Sequence, residues 1–213
     1  KQAVEDWFYV PRWKRAELPT QEAATTAKYK YLVFQDSVGI ANQLIPALET
    51  LGHQVVTVEA GKGYKRNGDH HYEIEADNKE DYKALFEGLS ELGDLPERIL
   101  HLWGVNPLDQ HKDYNQETIE LAQKLGYYSM VSIAQAYGEL STVQDLKVFV
   151  ITNNMQEAIG GDLTSPEKST VLGPVKVIPQ EYSNIKCKSI DVDLNASNTS
   201  IFVEQLLTEL SGA

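Results

Sequence analysis

Apolar residues along this chain follow two alternating rhythms. The short apolar run at 31–34 (YLVF) suits a strand buried on both faces, 147–152 (KVFVIT) reads as another buried strand, and 54–59 (QVVTVE) and 98–103 (RILHLW) as further strands. Between them apolar residues return at three- and four-residue spacing, which predicts helices. Ile40, Leu44, Leu48 and Leu51 form one such stripe, closed by Gly52. Tyr82, Leu85, Phe86, Leu89 and Leu92 form a second, with Asn78 placed to cap it. A long helix is expected over about 115–137, with Ile119, Ala122, Leu125, Val131 and Ala134 facing inward, and Phe202, Leu206 and Leu210 mark a closing helix. A short strand is expected at 71–74 and a late one at 186–192. Loops are expected around Gly61-Lys62-Gly63, Asn67-Gly68-Asp69 and Gly160-Gly161-Asp162, the last preceding a segment from 166 to 179.

Strands alternating with helices imply a parallel sheet covered on both faces. The fold class is α/β, a truncated Rossmann-like parallel sheet with helices on both faces, plus a detached N-terminal strand. That strand is the aromatic stretch 7–13, with Pro11 suited to an edge, and the Ala-, Thr- and Glu-rich stretch 15–28 reads as a linker. Residues 1–29 are therefore expected to form the strand and linker, and 30–213 the Rossmann-like unit. A lone aromatic strand needs a partner to cover it. Trp7, Tyr9 and Trp13 on one face, or Phe8 and Val10 on the other, are the candidate partner contacts.

Composition narrows the function classes. The 213 residues carry 42% hydrophobic and 23% charged side chains, ordinary values for a globular domain. No apolar run approaches the roughly 20 residues that span a bilayer. The opening Lys1-Gln2-Ala3-Val4-Glu5-Asp6 lacks a signal peptide's apolar stretch and reads as cut from a longer polypeptide. A net charge of −12 argues against a nucleic-acid surface. Cys187 is the single cysteine, so an internal disulfide is excluded and a reducing, cytoplasmic setting is expected. Within its strand Cys187 reads as a small buried hydrophobe.

The chemistry of a dinucleotide-binding enzyme is missing where it should stand. After the first core strand such a domain needs a glycine-rich turn for the close approach of a pyrophosphate. The turn here runs Gln35-Asp36-Ser37-Val38-Gly39-Ile40-Ala41, with Gly39 alone kept and Asp36 setting a negative charge beside the phosphate position. Gln35, Asp36, Ser37 and Gly39 thus mark a degenerate cofactor turn, and no cofactor-binding residue is expected in this chain. Glu59 stands 59 − 39 = 20 residues after Gly39, the spacing of a ribose-binding carboxylate, but without the glycines it reads as a strand-end charge. The tyrosine–lysine pair of short-chain reductases occurs once as spacing, at Tyr182 and Lys186, in a stretch running into a strand. Thr152-Asn153-Asn154, where a carbonyl-polarising serine would follow its strand, reads as a turn. His53, His70, His71, His101 and His111 have no metal-ligand spacing, and His101 reads as a hydrogen-bonded core residue.

Several stretches resemble one family. Trp7-Phe8-Tyr9-Val10-Pro11-Arg12-Trp13-Lys14-Arg15, His101-Leu102-Trp103, Asn153-Asn154, the run from Thr170 through Gly173-Pro174 to Pro179-Gln180-Glu181-Tyr182, and Ser189-Ile190-Asp191-Val192 are similar to the structural half of ketoreductases in modular polyketide synthases. The resemblance extends from Trp7 to about Leu210, and 173–182 is its most specific part. It implies two fused short-chain dehydrogenase halves, this one structural, with NADPH expected in the missing catalytic half. Its expected partners are that catalytic subdomain and neighbouring synthase domains, with an acyl carrier protein only indirectly, and no nucleic acid or membrane. No catalytic residue is carried over. Two alternatives stay open: a self-sufficient NAD(P)-dependent dehydrogenase with a degenerate turn, and a small-molecule-binding module using the crevice at the strand ends.

Overall fold

The computed structural model describes residues 13–16, 27–107, 115–140, 144–158, 160–161, 163, 165–194 and 199–211. The strands are β1 (Lys30–Phe34), β2 (Gln54–Ala60), β3 (Lys65–Arg66), β4 (His71–Ile74), β5 (Arg98–Gly104), β6 (Leu146–Asn153) and β7 (Ile185–Val192). The helices are α1 (Ile40–Thr50), α2 (Lys79–Glu91), α3 (Gln116–Ala122), α4 (Ser129–Gly138), α5 (Leu172–Glu181) and α6 (Thr199–Ser211). One seven-stranded sheet has the order β3-β4-β2-β1-β5-β6-β7, parallel throughout except for the antiparallel β3–β4 pair. Without β3 this is the 3-2-1-4-5-6 order of a doubly wound fold. It is truncated at one place: residues 61–70, between β2 and β4, form β3 and turns where a crossover helix is usual.

The continuous apolar runs are central strands, as their pattern requires. Leu32, Val33 and Phe34 of β1 have no exposed surface, and the sheet separates two cores. On one face α1 and α6 contribute Ile40, Leu44, Leu48, Val203, Leu206 and Leu210. On the other, α2, α4 and α5 contribute Tyr82, Phe86, Met130, Ile133, Tyr137 and Ile178. Arg98 ties the first layer to the sheet: it is buried against the Tyr29 ring at 3.8 Å, donates to Tyr31 Oη at 3.1 Å, and donates to the Leu210 carbonyl near the end of α6. A cation there complements the negative end of the helix dipole.

Two readings of the helices need correction. Leu51 and Leu92 are C-cap residues exposed to solvent, not members of the buried stripes. The long helix at 116–138 is interrupted by a π-helical turn, Gln123–Tyr128, which inserts extra backbone and rotates the following face. Ile119 is consequently exposed and Val131 half-buried, while Met130, Ile133, Ala136 and Tyr137 point inward. The segment 166–179 is a 3-10 turn, Pro166–Val171, leading into α5, which contains Pro179. Of the N-terminal strand only Trp13 lies within the described residues. It has no regular secondary structure and is 59% exposed; Trp7, Phe8, Tyr9 and Val10 lie outside the described residues.

Candidate functional site

In a sheet of this order, β1 and β5 bound the switch point where ligands enter at the strand carboxyl ends. The turn leaving β1 shows how the sequence has reshaped that place. Gly39 is the N-cap of α1 with φ of 90°, a left-handed conformation that favours glycine. Glycine brings no capping side chain, and Asp36 supplies one: its Oδ2 accepts from the Val38 and Ile40 amides at 2.9 Å, and its Oδ1 from the Ala41 amide at 2.7 Å. A carboxylate of the chain itself thus occupies the positive end of α1, where a pyrophosphate lies in dinucleotide-binding sheets. Gln35 is fixed by its amide to the Val58 carbonyl at 2.9 Å, and Ser37 is exposed.

Glu59 stands at the end of β2, its side chain largely exposed and 3.7 Å from His71 Nε2. That pairing fits a strand-end charge. Tyr182 caps α5 with extended backbone and Lys186 is exposed on β7, so the two side chains share no helical face.

The polar residues after β6 meet a group that the sequence reading missed. Lys168, in the 3-10 turn, is 4% exposed, and its ammonium donates to Asn153 Oδ1 at 2.6 Å, Asn106 Oδ1 at 2.8 Å and the Asn153 carbonyl at 3.0 Å. Asn106 and Asn153 bond each other as well, amide to Oδ1 at 3.1 Å and Nδ2 to carbonyl at 3.2 Å. Thr152 turns its hydroxyl away to Asp191 at 2.9 Å, and the same carboxylate accepts from the Met155 and Gln156 amides. Asn154 has a φ of 54°. Thr152 and Asn153 are still in β6, against the expected turn, and the chain bends only at Asn154; Asn106 and Asn153 tie the ends of β5 and β6 to the 3-10 turn through bonds from the Lys168 ammonium. Nothing in the sequence around Lys168 marks it as buried. Its polar partners are distant along the chain and only the β5–β6 pairing brings them together.

His101 is fully buried, with a 2.8 Å hydrogen bond between Nε2 and Ser129 Oγ, as a core histidine should have. Burial pushes its pKa down to about 3, so the ring is neutral at physiological pH. His53 accepts the Tyr29 amide at 3.1 Å, His71 Nδ1 lies 2.8 Å from Thr57 Oγ1, and His111 is outside the described residues. Among the described residues no group of three His, Cys, Asp or Glu side chains could hold a metal ion. Cys187 is partly buried against the core, and burial pushes its thiol up to about 12, which makes it a poor nucleophile. No helix among the described residues is long and apolar enough to cross a membrane.

A shallow groove lies between the end of the π turn, α4 and α5, with Tyr127, Val131, Pro174 and Val177 in its walls. Val177 is half exposed, and Tyr127 and Tyr128 are exposed beside it. These apolar side chains form an uncovered face on the helical layer.

Known proteins place this geometry. The chain aligns in three dimensions with a multidomain structure of a keto acid-selecting NRPS module containing adenylation, ketoreductase and pseudo Asub parts, at TM-score 0.82 and 23% identity over 94% of this chain. It aligns with an N-terminal ketoreductase from the macrolactin assembly line at TM-score 0.69 and 13% identity over 95% of the chain. A short chain dehydrogenase from Burkholderia cenocepacia in complex with NADP gives TM-score 0.61 and 12% identity, covering 88% of this chain and 86% of that one. The chain spans 16% of the first of these structures and 39% of the second. No curated protein matches the sequence significantly. The expected short-chain-dehydrogenase-like α/β fold is thus the observed one, shared with ketoreductases of modular assembly lines. A family profile described as beta-ketoacyl synthase-like, N-terminal matches residues 30–209, and the chain belongs to that family.

Proposed function

We propose that this chain is the non-catalytic structural half of a ketoreductase in a modular polyketide-type synthase. It supports a separate half that uses NADPH to reduce a β-ketoacyl group held on a carrier protein. The observation that carries this reading is Asp36 seated on the Val38, Ile40 and Ala41 amides. A pyrophosphate approaching α1 meets a carboxylate already bonded to those donors, and the repulsion between the two anions opposes binding. The separation of Tyr182 from Lys186 and the neutral His101 point the same way, because neither gives a proton donor paired with an activating cation. The chain's contribution to rate is positional: it holds the partner's site in a productive arrangement. Its single, unreactive thiol suits a cytoplasmic setting.

The test is calorimetric titration of the chain with NADPH to millimolar concentration, followed by addition of a separately expressed catalytic half. The expected result is no heat of NADPH binding by this chain, and a rise in β-ketoacyl reduction when the two halves are mixed. Saturable micromolar NADPH binding would overturn the reading and restore the self-sufficient dehydrogenase.

A further inference from the structure

The chain that leads from Trp13 joins the sheet at Lys28 and Tyr29, and a side chain makes part of that attachment. The Tyr29 carbonyl accepts the Gln54 amide at 3.1 Å, an ordinary backbone bond between the entries to β1 and β2. The Tyr29 amide instead donates to His53 Nδ1 at 3.1 Å. The imidazole also packs on two phenol rings, with centroids 5.7 Å from Tyr29 and 5.1 Å from Tyr31. An Nδ1 that accepts an amide proton must carry none of its own. The bond therefore selects the neutral ring with its proton on Nε2. A protonated Nδ1 would be a donor facing a donor, and the bond would be lost.

The groups around the ring set the direction of its response. Arg98 of β5 and Lys28 are the charges acting on it, and both are positive. Arg98 lies over the Tyr29 ring at 3.8 Å, so it already holds the ring face that would attract an imidazolium. Lys28 runs along the Gly52 turn, its Cε 3.1 Å from where a Gly52 Cβ would stand. The acidic side chains of this edge are engaged elsewhere. Glu97 accepts the Lys30 amide, Asp94 accepts from Lys30 and Gln54, and Glu209 of α6 accepts from Lys188, while Glu49 in the last turn of α1 is exposed. Tyr31, whose phenol burial holds above its ordinary pKa, adds no negative charge. At the end of α6 the Leu210 carbonyl is taken by Arg98. Burial and the two cations hold the His53 pKa below its ordinary value of about 6.5. The ring is only half-buried, so water still delivers a proton to it.

We propose that His53 is a proton-operated latch on the entry to β1: the neutral ring holds Tyr29 to the sheet, and the protonated ring releases Lys28 and Tyr29. The latch is closed at neutral pH and opens as pH falls below the ordinary histidine range. A charged ring also repels Arg98 and Lys28, so the amide bond and the guanidinium stack on Tyr29 weaken together. With the latch open, a contact made through Trp13 loses its fixed point of attachment to the sheet. The latch belongs to this chain alone and does not rest on the scaffold role. It is read on the isolated chain, so a failed reconstitution with a catalytic half leaves it standing.

The experiment follows the Tyr29 amide and the His53 ring by NMR of the labelled chain from about pH 7.5 to about pH 5. The Tyr29 amide shift should titrate with the midpoint of the His53 ring. Its protection from hydrogen exchange, corrected for the intrinsic effect of pH, should fall severalfold, while the Leu32 and Val33 amides keep theirs. His53→Asn offers a side-chain oxygen as acceptor that does not titrate, and should make the Tyr29 amide insensitive over the same range. His53→Ala removes the acceptor and should leave Tyr29 weakly protected at both ends of the range. A Tyr29 amide unmoved while His53 titrates, an equal change in His53→Asn, or a loss of protection shared by Leu32 and Val33 overturns the latch.

Discussion

The imidazole of His101 has no exposed surface, and that isolation makes it a stability switch. Its pKa in the fold is about 3 because burial disfavours the charged ring. In the unfolded chain it returns to about 6.5. Between those values the unfolded state holds the extra proton, so this group's contribution to stability is fully present above about pH 6.5 and is lost as pH falls toward 3, by up to ~1.4 kcal/mol per pH unit. His101→Gln removes the titration while retaining a polar partner for Ser129. Urea midpoints at about pH 7.5 and about pH 5 should fall further for the unmodified protein than for His101→Gln; equal falls would show that the ring is not held neutral. Asp36 acts at the same scale. Asp36→Ala removes the side chain that satisfies three amides at the start of α1, and should cost about 1 kcal/mol, read from the same denaturation curve. Both residues were partly legible in the sequence. A histidine inside an apolar strand could be placed in the core, and a carboxylate in a turn that needs glycine could be seen as hostile to phosphate. That Asp36 takes the amides for itself depends on turn geometry that no spacing rule gives. Lys168 was not legible at all, because its acceptors lie 15 and 62 residues away.

At the scale of elements, α4 and α5 meet through a close approach at their carboxyl ends. A Cβ built on Gly138, the last residue of α4, would lie 2.2 Å from Tyr182 Cε1, where Tyr182 caps α5. Alanine normally favours a helix over glycine, but here the added methyl must push the half-buried ring aside. Gly138→Ala should therefore destabilise the protein by about 1–3 kcal/mol. Adding Tyr182→Ala should recover part of that loss, since the two changes share one contact. Additive losses in the double variant, measured by thermal or urea unfolding, would place the strain elsewhere. Helices with a regular stripe, α1 and α2, were legible to within the C-cap residue, because 3.6-residue periodicity and the capping Asn78 agree. The helix at 116–138 was legible in extent and misread in facing. A π turn changes the phase of the stripe, and the residues around it, Leu125-Gly126-Tyr127, carry no local signal for one extra backbone position.

Across the whole molecule the sheet order was beyond sequence periodicity. β1, β5 and β6 are buried on both faces, so their patterns are alike and do not say which is neighbour to which; only the connections decide that. The surface that remains after the layers close is more informative about assembly. Trp13 and Val177 are both at least half exposed, although such side chains favour burial, and Val177 lines the groove between α4 and α5. If this half supports a catalytic partner, apolar surface of this kind is where association gains most, since water is released from both faces at once. Val177→Asp replaces an exposed apolar group with a charge and should leave the chain's own stability within about 0.5 kcal/mol. The same change should weaken association with the catalytic half by roughly 10- to 100-fold, the effect expected of one charge placed in an apolar contact. Trp13→Ala tests the N-terminal route in parallel, because it removes a large aromatic surface without touching either core. A loss confined to Val177→Asp would assign the contact to the helical layer, and one confined to Trp13→Ala would assign it to the N-terminal segment. Unchanged affinity in both, measured by calorimetry between the two halves, would remove these surfaces from the supporting role.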